Sequence, residues 1–335
     1  MKALLRLSDE TLNSVLPCPR CKAFSWKIVG EAANCGSCGL RAGLKGGVLC
    51  LPVRASSTST RFFNYTKGPR FLGIKFTENM LLYSTTRLYL HYLKEWFPKP
   101  SGYFLDVGSG DGRIALWALK YGFSAVVAVD SSLPALQRLV AAASDSRARS
   151  KLVAICCPLS HFPLVRGRFS AVVCCEVLYY LGTHHKQDQF LRKLGNALAS
   201  SGRLVLAEPA FFGGLLNDIV ALNVKNIQIA AQKHSRIEKF GPVAVEVKYP
   251  TLSQLKKRCT NAGLTMVDIR GVSPISMLLQ YAYTFTSYPL RPRLDKKFQA
   301  EIDELENLCS EASDLSRNLV LLLKKRSAKE SSTPS

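Results

Sequence analysis

Two sets of residues in this chain of 335 have the types and spacing to do chemistry. The first is Asp106-Val107-Gly108-Ser109-Gly110-Asp111-Gly112-Arg113, followed by a second acid at Asp130. Glycines at alternate positions allow a tight turn and a close approach of backbone to a ligand. The amides that open a following helix point at whatever binds there. An acid at the end of the next strand can accept hydrogen bonds from both hydroxyls of a ribose. The second set is Cys18-Pro19-Arg20-Cys21 and Cys35-Gly36-Ser37-Cys38, two C-x-x-C pairs. Pairs separated by about a dozen residues fit a zinc ribbon, in which four thiolates close a tetrahedron around Zn²⁺. Cys18, Cys21, Cys35 and Cys38 would then hold a structural metal, with no position open for catalysis.

Those residues need elements to place them. Tyr103-Phe104-Leu105 with Val107 reads as a short buried strand. Ile114 to Leu119 reads as a helix that Tyr121-Gly122 ends, and Ala125 to Val129 as a strand delivering Asp130. The dinucleotide fingerprint G-x-G-x-x-G is not met, because the third glycine comes one residue early and Arg113 stands where Gly is needed. Asp106 and Asp111 would repel a pyrophosphate but attract an ammonium and a sulfonium, which favours S-adenosylmethionine over NAD. The stretch resembles motif I of the class I S-adenosylmethionine-dependent methyltransferases, and Asp130 resembles their motif II acid. The resemblance implies an α/β fold: a Rossmann-like seven-stranded sheet with helices on both faces. It also implies a cofactor site of Asp106, Gly108, Gly110, Gly112, Asp130, Ser131 and Glu176.

The rest of the chain fits around this centre. Ser8 caps a short helix that Pro17 ends, and Ala23 to Val29 should be a strand between the cysteine pairs. Ala55 to Thr60 reads as a linker, Phe62 to Gly73 as an aromatic, basic stretch, and Glu78 to Phe97 as a helix. Lys151 to Cys156 reads as a strand, after which Cys157 stands where the resembling family usually carries an acid for the adenine amino group. Phe169 to Cys175 runs into Glu176-Val177-Leu178-Tyr179-Tyr180-Leu181, which resembles motif IV of the type 11, small-molecule-like branch. Further on, Ser201-Gly202 reads as a turn, Arg203 to Ala207 as the fifth strand, and Phe211 to His234 as a helical insertion. Leu264 to Ile269 and Asn318 to Leu323 read as the last strands. Between them lie an aromatic segment, Tyr281 to Tyr288, and a helix with Phe298, Ile302, Leu305, Leu308, Ala312 and Leu315 inward. The expected domains are a helix and zinc ribbon over 1–53, linker and cofactor-covering helices over 54–100, and a methyltransferase domain over 101–325. Insertions fall at 211–250 and 275–316, and 326–335 is expected to be a disordered tail.

Methyl transfer from a sulfonium needs alignment above all, with a base only for acceptors that must lose a proton first. Glu176 and Tyr179 are the leading catalytic candidates, with His184, His185 and Glu208 also near strand ends. Formal net charge is +21, a field that favours polyanions. A zinc ribbon ahead of the catalytic domain resembles the bacterial guanine-N1 methyltransferases of ribosomal RNA, and also certain plastid and archaeal type 11 enzymes. The balance leans to an RNA acceptor, with phosphates touching Arg20, Lys22, Lys27, Arg41 and Lys45. Motif IV supports the alternative, a small-molecule or lipid methyltransferase. Cys157 supports a third reading, a non-catalytic RNA-binding subunit on a degenerate fold. Eleven cysteines suggest the cytoplasm or another reducing compartment. No apolar run reaches the roughly 18 residues of a membrane span. Oligomeric state has no signature in the sequence.

Overall fold

The computed structural model describes residues 8–52, 80–143, 149–220, 223–233, 235–240, 243–272, 296–308, 316 and 318–326. The readings made for residues 55–60, 62–73, 281–288, 312, 315 and 327–335 lie outside these.

The sheet is built outward from its centre. β5 (Tyr103–Val107) pairs in parallel with β6 (Ala125–Asp130) on one side and β8 (Phe169–Cys175) on the other. β7 (Leu152–Cys156) extends beyond β6, and β9 (Leu198–Pro209) extends beyond β8. β13 (Asn318–Lys325) inserts antiparallel between β9 and β12 (Leu264–Val272). Strands covered on both faces need apolar residues at every position, and β6 is the plainest case, Ala-Val-Val-Ala-Val before Asp130. Its side chains alternate between two cores. Val127 and Val129 face one core with Phe190, Leu194 and Leu255, while Val126 and Ala128 face the other with Trp117, Leu136 and Leu139. The first face is covered by α5 (His184–Ala197) and α8 (Leu252–Asn261). The second is covered by α2 (Met80–Trp96), α3 (Arg113–Tyr121) and α4 (Leu133–Ala142).

Among the described residues the sheet has 11 strands, which corrects the expected seven. The order is β1-β2-β3-β4-β7-β6-β5-β8-β9-β13-β12, so the seven from β7 to β12 are the expected set. The extra four are β1 (Trp26–Val29), β2 (Ala32–Cys35), β3 (Arg41–Lys45) and β4 (Val48–Cys50). They form an antiparallel meander whose last strand pairs in parallel with β7, Leu49 beside Ile155 and Cys50 beside Cys156. Without β4 the backbone groups of β7 would stand open at an edge, and covering an edge removes that exposed row. The same core runs through: Leu12, Leu16, Trp26 and Leu49 pack in one cluster with Val153 and Ile155. Leu12 and Val15 belong to α1 (Asp9–Val15), capped by Ser8, whose hydroxyl accepts from Thr11 N–H. The Trp26 indole donates to the Leu16 carbonyl at 2.9 Å and so ties the meander to the end of α1.

Two further expectations are corrected. β9 begins at Leu198, earlier than the expected Arg203, and its pairing with β8 jumps from Leu198 to Arg203, so Ser201-Gly202 lies in a bulge within the strand. A side chain at Gly202 would meet the Phe169 carbonyl at 2.7 Å and the Ala199 backbone nitrogen at 2.9 Å, so the glycine serves this tight bulge. The expected helical insertion is met by two helices, α6 (Phe211–Val220) and α7 (Val224–Lys233), and a hairpin of β10 (Arg236–Phe240) and β11 (Val243–Val247) follows them. α9 (Lys296–Leu308) buries Ile302 but leaves Leu305 and Leu308 exposed. It meets α2 through an ion pair, Arg87 to Asp303 at 2.8 Å. No helix among the described residues is long and apolar enough to cross a membrane.

Candidate active site

The site is assembled at the carboxyl ends of β5, β6, β8 and β9, where the turns after the parallel strands converge. Gly108 and Ser109 both donate to the Val129 carbonyl, at 2.8 and 3.1 Å, which folds the glycine turn over the end of β6. The three glycines are needed for different reasons. A Cβ at Gly108 would lie 2.2 Å from Val177 Cγ2, and one at Gly112 would lie 2.2 Å from Leu139 Cδ1. Gly110 has φ +51 and no atom within 4 Å of where its Cβ would stand. Gly108 and Gly112 are therefore required by packing, and Gly110 faces the open side on which a ligand would lie. Ser109 Oγ is buried there without a hydrogen-bond partner.

The acids hold this turn. Asp130 Oδ2 accepts Gly110 N–H at 2.9 Å and Asp130 Oδ1 accepts Ser132 N–H at 2.7 Å. Each oxygen keeps a lone pair for a further donor such as a ribose hydroxyl. Burial raises the Asp130 carboxyl above the usual carboxylate range, against the Ser132 and Gly110 amides that lower it. Asp106 Oδ2 accepts Ala115 N–H at 3.0 Å and so caps the first turn of α3, where a negative charge suits the helix dipole. Burial still pushes Asp106 up to about 7. A cation brought beside it would reverse part of that cost, so the residue fits an ammonium-bearing ligand. Asp111 departs from the electrostatic reading. Both Nε and Nη2 of Arg138 bind its Oδ1, at 3.1 and 2.7 Å, so its charge is balanced within the protein.

Cys157, placed by sequence where adenine is usually recognised, is buried, and its N–H donates to the Asp130 carbonyl at 2.9 Å. That amide is already used by the fold. Ser131 is half-buried beside Asp130, and its carbonyl accepts from Cys156 Sγ at 3.6 Å.

The catalytic candidates separate. Glu208 is buried and spans the amides of Val177, Leu178 and Tyr179 at 3.4, 2.9 and 3.3 Å, so it caps the turn Leu178–Leu181. Burial pushes it up to about 8 against the pull of those amides. His184 and His185 are exposed in the first turn of α5, and His185 pairs with Gln189. Tyr179 is buried against Tyr180, with ring centroids 4.1 Å apart, and meets Tyr249 edge-on at 5.7 Å. Glu176 differs from all of these. Its side chain is half-buried, and its backbone stands at φ +58, a left-handed conformation shared among the described non-glycine residues only with Lys22. For a residue with a Cβ this costs about 1–2 kcal/mol, and such strain gathers at functional sites. Tyr89 OH donates to Glu176 Oε1 at 3.0 Å, Asn318 Nδ2 donates to the same oxygen at 2.8 Å, and Arg113 Nη2 lies 3.8 Å away. Sequence reading missed Tyr89 and Asn318. Tyr89 looked like one more inward residue of a helix, and Asn318 like the polar start of a strand.

The four cysteines also come together. Their sulfurs all lie within 4.8 Å of one another, with Cys18 to Cys38 and Cys21 to Cys35 both at 3.6 Å. Tetrahedral zinc–thiolate geometry demands sulfurs about 3.8 Å apart, given bonds of about 2.3 Å. The two knuckles match: Lys22 N–H bonds the Cys18 carbonyl and Gly39 N–H the Cys35 carbonyl, both at 2.9 Å. Each follows its second cysteine in a left-handed conformation, φ 65 at Lys22 and 69 at Gly39.

With this geometry in place, comparison with known proteins decides the class. Residues 105–206 match the family model of the methyltransferase domain, a span that holds the glycine turn, both acids and Glu176. The chain is an S-adenosylmethionine-dependent methyltransferase. Its fold is shared by solved structures of low identity. A Listeria monocytogenes protein described as a candidate S-adenosylmethionine-dependent methyltransferase is 14% identical, covers 73% of this chain and 99% of its own, and has a TM-score of 0.52. The PH0226 protein from Pyrococcus horikoshii OT3 is 12% identical, covering 78% and 98%, with a TM-score of 0.51. The Burkholderia thailandensis 1,6-didemethyltoxoflavin-N1-methyltransferase, solved with that compound and S-adenosylhomocysteine bound, is 14% identical, covering 90% and 100%, with a TM-score of 0.50. No curated protein matches this methyltransferase in sequence. The reading of a non-catalytic subunit does not hold for this enzyme.

Proposed function

We propose that the enzyme methylates a small planar acceptor seated at the aromatic mouth of the site. The observation that carries this is the cluster of Tyr179, Tyr180, Phe211 and Tyr249, packed where the turns after β8 and β9 meet. Tyr249 and Phe211 also line a cleft with Leu215, Asp218 and Ser235, whose free volume of about 10 Å³ has room for a water and would have to widen to admit a ring. Aromatic walls with a few polar groups suit a flat ligand. The Burkholderia enzyme, which acts on a heterocycle, spans 90% of this chain and lends the reading support.

In this reading Asp106, Gly108, Gly110, Asp130 and Ser131 hold S-adenosylmethionine, with Asp106 toward the ammonium and Asp130 toward the ribose. The cofactor supplies a methyl group on a sulfonium, already activated for in-line displacement. The protein's part is alignment and exclusion of water. Glu208 contributes by fixing the turn that carries Tyr179 and Tyr180. The test is transfer of labelled methyl from S-adenosylmethionine by purified protein, offered small-molecule extract and total RNA separately. Label in the extract and not in RNA supports the proposal; label only in RNA overturns it.

An RNA acceptor is a second reading because of two exposed basic surfaces. Lys186, Arg192 and Lys193 of α5 and Lys256 and Lys257 of α8 are all exposed. The acid Asp188 of α5 pairs with the mostly buried Arg258 at 3.9 Å. The ribbon's Arg20, Lys22, Lys27, Arg41 and Lys45 are exposed as well. If these faces touch phosphates, binding of RNA falls steeply with salt.

We further propose that the four cysteines bind one Zn²⁺, supported by the sulfur spacing and the paired knuckles. Four thiolates close the coordination sphere, so the metal would be structural.

A further inference from the structure

We propose that Cys50 and Cys156 are a redox-active thiol pair, which a low-molecular-weight disulfide closes into a bridge between β4 and β7, and that the bridge weakens cofactor binding through Ser131. The second half rests on the reading above that Asp130 and Ser131 hold S-adenosylmethionine.

The strand register sets the two cysteines side by side. Cys50 of β4 is the direct parallel partner of Cys156 of β7. Neighbouring strands run about 4.7–4.9 Å apart, inside the Cα separation of about 4.4–6.8 Å that a disulfide spans. Both residues are half-buried. A hydrogen bond with the Cys156 thiol holds Cys50 down to about 7, against the burial that raises it and with the Lys45 charge helping. An attacking thiol whose pKa lies near the ambient pH is well matched to disulfide exchange. Other buried cysteines differ. Burial pushes Cys157 and Cys259 up to about 12, and Cys157 packs in the opposite core from Cys156. Such thiols are inert.

A reagent has a way in to Cys50. On the side away from β7 its partner is Gly43 of β3, directly opposite. A side chain at Gly43 would meet nothing within 4 Å, so open space lies next to Cys50. Cys156 reaches the other way, toward the cofactor loop. It is the register partner of Asp130 on β6, and its Sγ donates to the Ser131 carbonyl at 3.6 Å. A disulfide sulfur carries no proton, so closing the bridge removes that donor and draws the Cys156 side chain toward β4. Ser131 lies between Asp130 and Ser132, whose N–H is held by Asp130 Oδ1 at 2.7 Å, so the loss falls on the loop that presents the ribose acid.

The exchange runs in two displacements. The Cys50 thiolate attacks one sulfur of the small disulfide; a mixed disulfide forms, the old S–S bond breaks, and the first small thiolate leaves and takes up a proton. Cys156 then gives up its proton and attacks the Cys50 sulfur. The Cys50–Cys156 bond forms and the second small thiolate leaves and is protonated. The pair is oxidised by two electrons and the small disulfide is reduced to two thiols.

The test uses the full chain purified without chelators. It is incubated with oxidised glutathione, alkylated, digested and mapped by mass spectrometry, and S-adenosylhomocysteine affinity is measured by calorimetry before and after oxidation. A linked Cys50–Cys156 peptide should appear, and dithiothreitol should remove it. Cys156→Ser should accumulate glutathione on Cys50 instead, whereas Cys50→Ser should leave Cys156 unmodified. Oxidation should lower the affinity about two- to tenfold, the range of one lost hydrogen bond, and dithiothreitol should restore it. In Cys50→Ser the affinity should not respond to oxidation. Absence of the linked peptide, or linkage confined to Cys18, Cys21, Cys35 and Cys38, overturns the thiol pair. A linked peptide with unaltered affinity overturns its coupling to the cofactor loop. A reduced chain that fails to bind S-adenosylhomocysteine overturns the cofactor reading, a result distinct from the linked peptide, which is scored without any ligand.

Discussion

Alanine at Gly110 should cost little stability and much of the cofactor affinity, and alanine at Gly112 should do the reverse. At Gly110 the backbone has φ +51 and a new Cβ meets nothing within 4 Å. The only conformational cost is that of an L side chain in the left-handed region, about 1–2 kcal/mol. At Gly112 the same cost applies at φ +84, and the new Cβ also falls 2.2, 2.7 and 2.9 Å from three atoms of Leu139. Leu139 is fully buried on α4, so it cannot swing away, and overpacking adds about 1–3 kcal/mol. Gly112→Ala should thus be destabilised by about 2–5 kcal/mol in urea unfolding, against about 1–2 for Gly110→Ala. Isothermal titration with S-adenosylhomocysteine gives the other half. Gly110→Ala should lose about tenfold or more in affinity, because its methyl takes the space on which the ligand must close. Gly110→Ala with wild-type affinity would refute the assignment of that open face to the cofactor. So would a Gly110→Ala variant less stable than Gly112→Ala, because the packing contrast would then be wrong.

Other outcomes follow from the same geometry. Asp130→Ala removes the acceptor of the Gly110 and Ser132 amides as well as the expected ribose contact, so both unfolding midpoint and S-adenosylhomocysteine affinity should fall. Asp130→Asn, which keeps one carbonyl oxygen, should recover part of the stability, and equal stability of the two variants would argue against the amide bonds. Asp106 and Glu208 are raised by burial to about 7 and about 8, so the folded chain holds protons that the unfolded chain has released. Their stability contribution is complete below the ordinary carboxylate range and is lost as pH rises through those values. Asp106→Asn should flatten the decline between pH 5.5 and 7 by up to about 1.4 kcal/mol per pH unit, measured by urea unfolding at each pH. An unchanged slope would mean that Asp106 is not raised. Metal analysis should find one equivalent of zinc, and Cys35→Ser should lose it and loosen the β4–β7 edge, seen as faster amide exchange at Leu49 and Ile155. Protein purified without chelators and free of zinc would remove the metal from the account.

The sequence determined the centre of this protein because that centre is local. Asp106, the three glycines and Asp130 lie within one βαβ unit, where turn, helix start and strand end follow from neighbouring residues. The cysteine knuckles were legible for the same reason, since each C-x-x-C closes on itself and dictates where its sulfurs point. Glu176 and Tyr179 could be singled out by their place after a strand, but not told apart. Only the tertiary structure separated them. Tyr179 went to packing against Tyr180 and Tyr249, Glu208 to capping a turn, and Glu176 to a network with Tyr89 and Asn318, which stand 87 and 142 residues away along the chain. The pairing of Asp111 with Arg138 was equally hidden, because charge read along a sequence does not say which charges are already matched. The join of the N-terminal meander to the methyltransferase sheet also lay outside local rules. A short strand such as Val48–Cys50 carries no mark of its partner, and an open edge on β7 exists only once the rest of the sheet has formed.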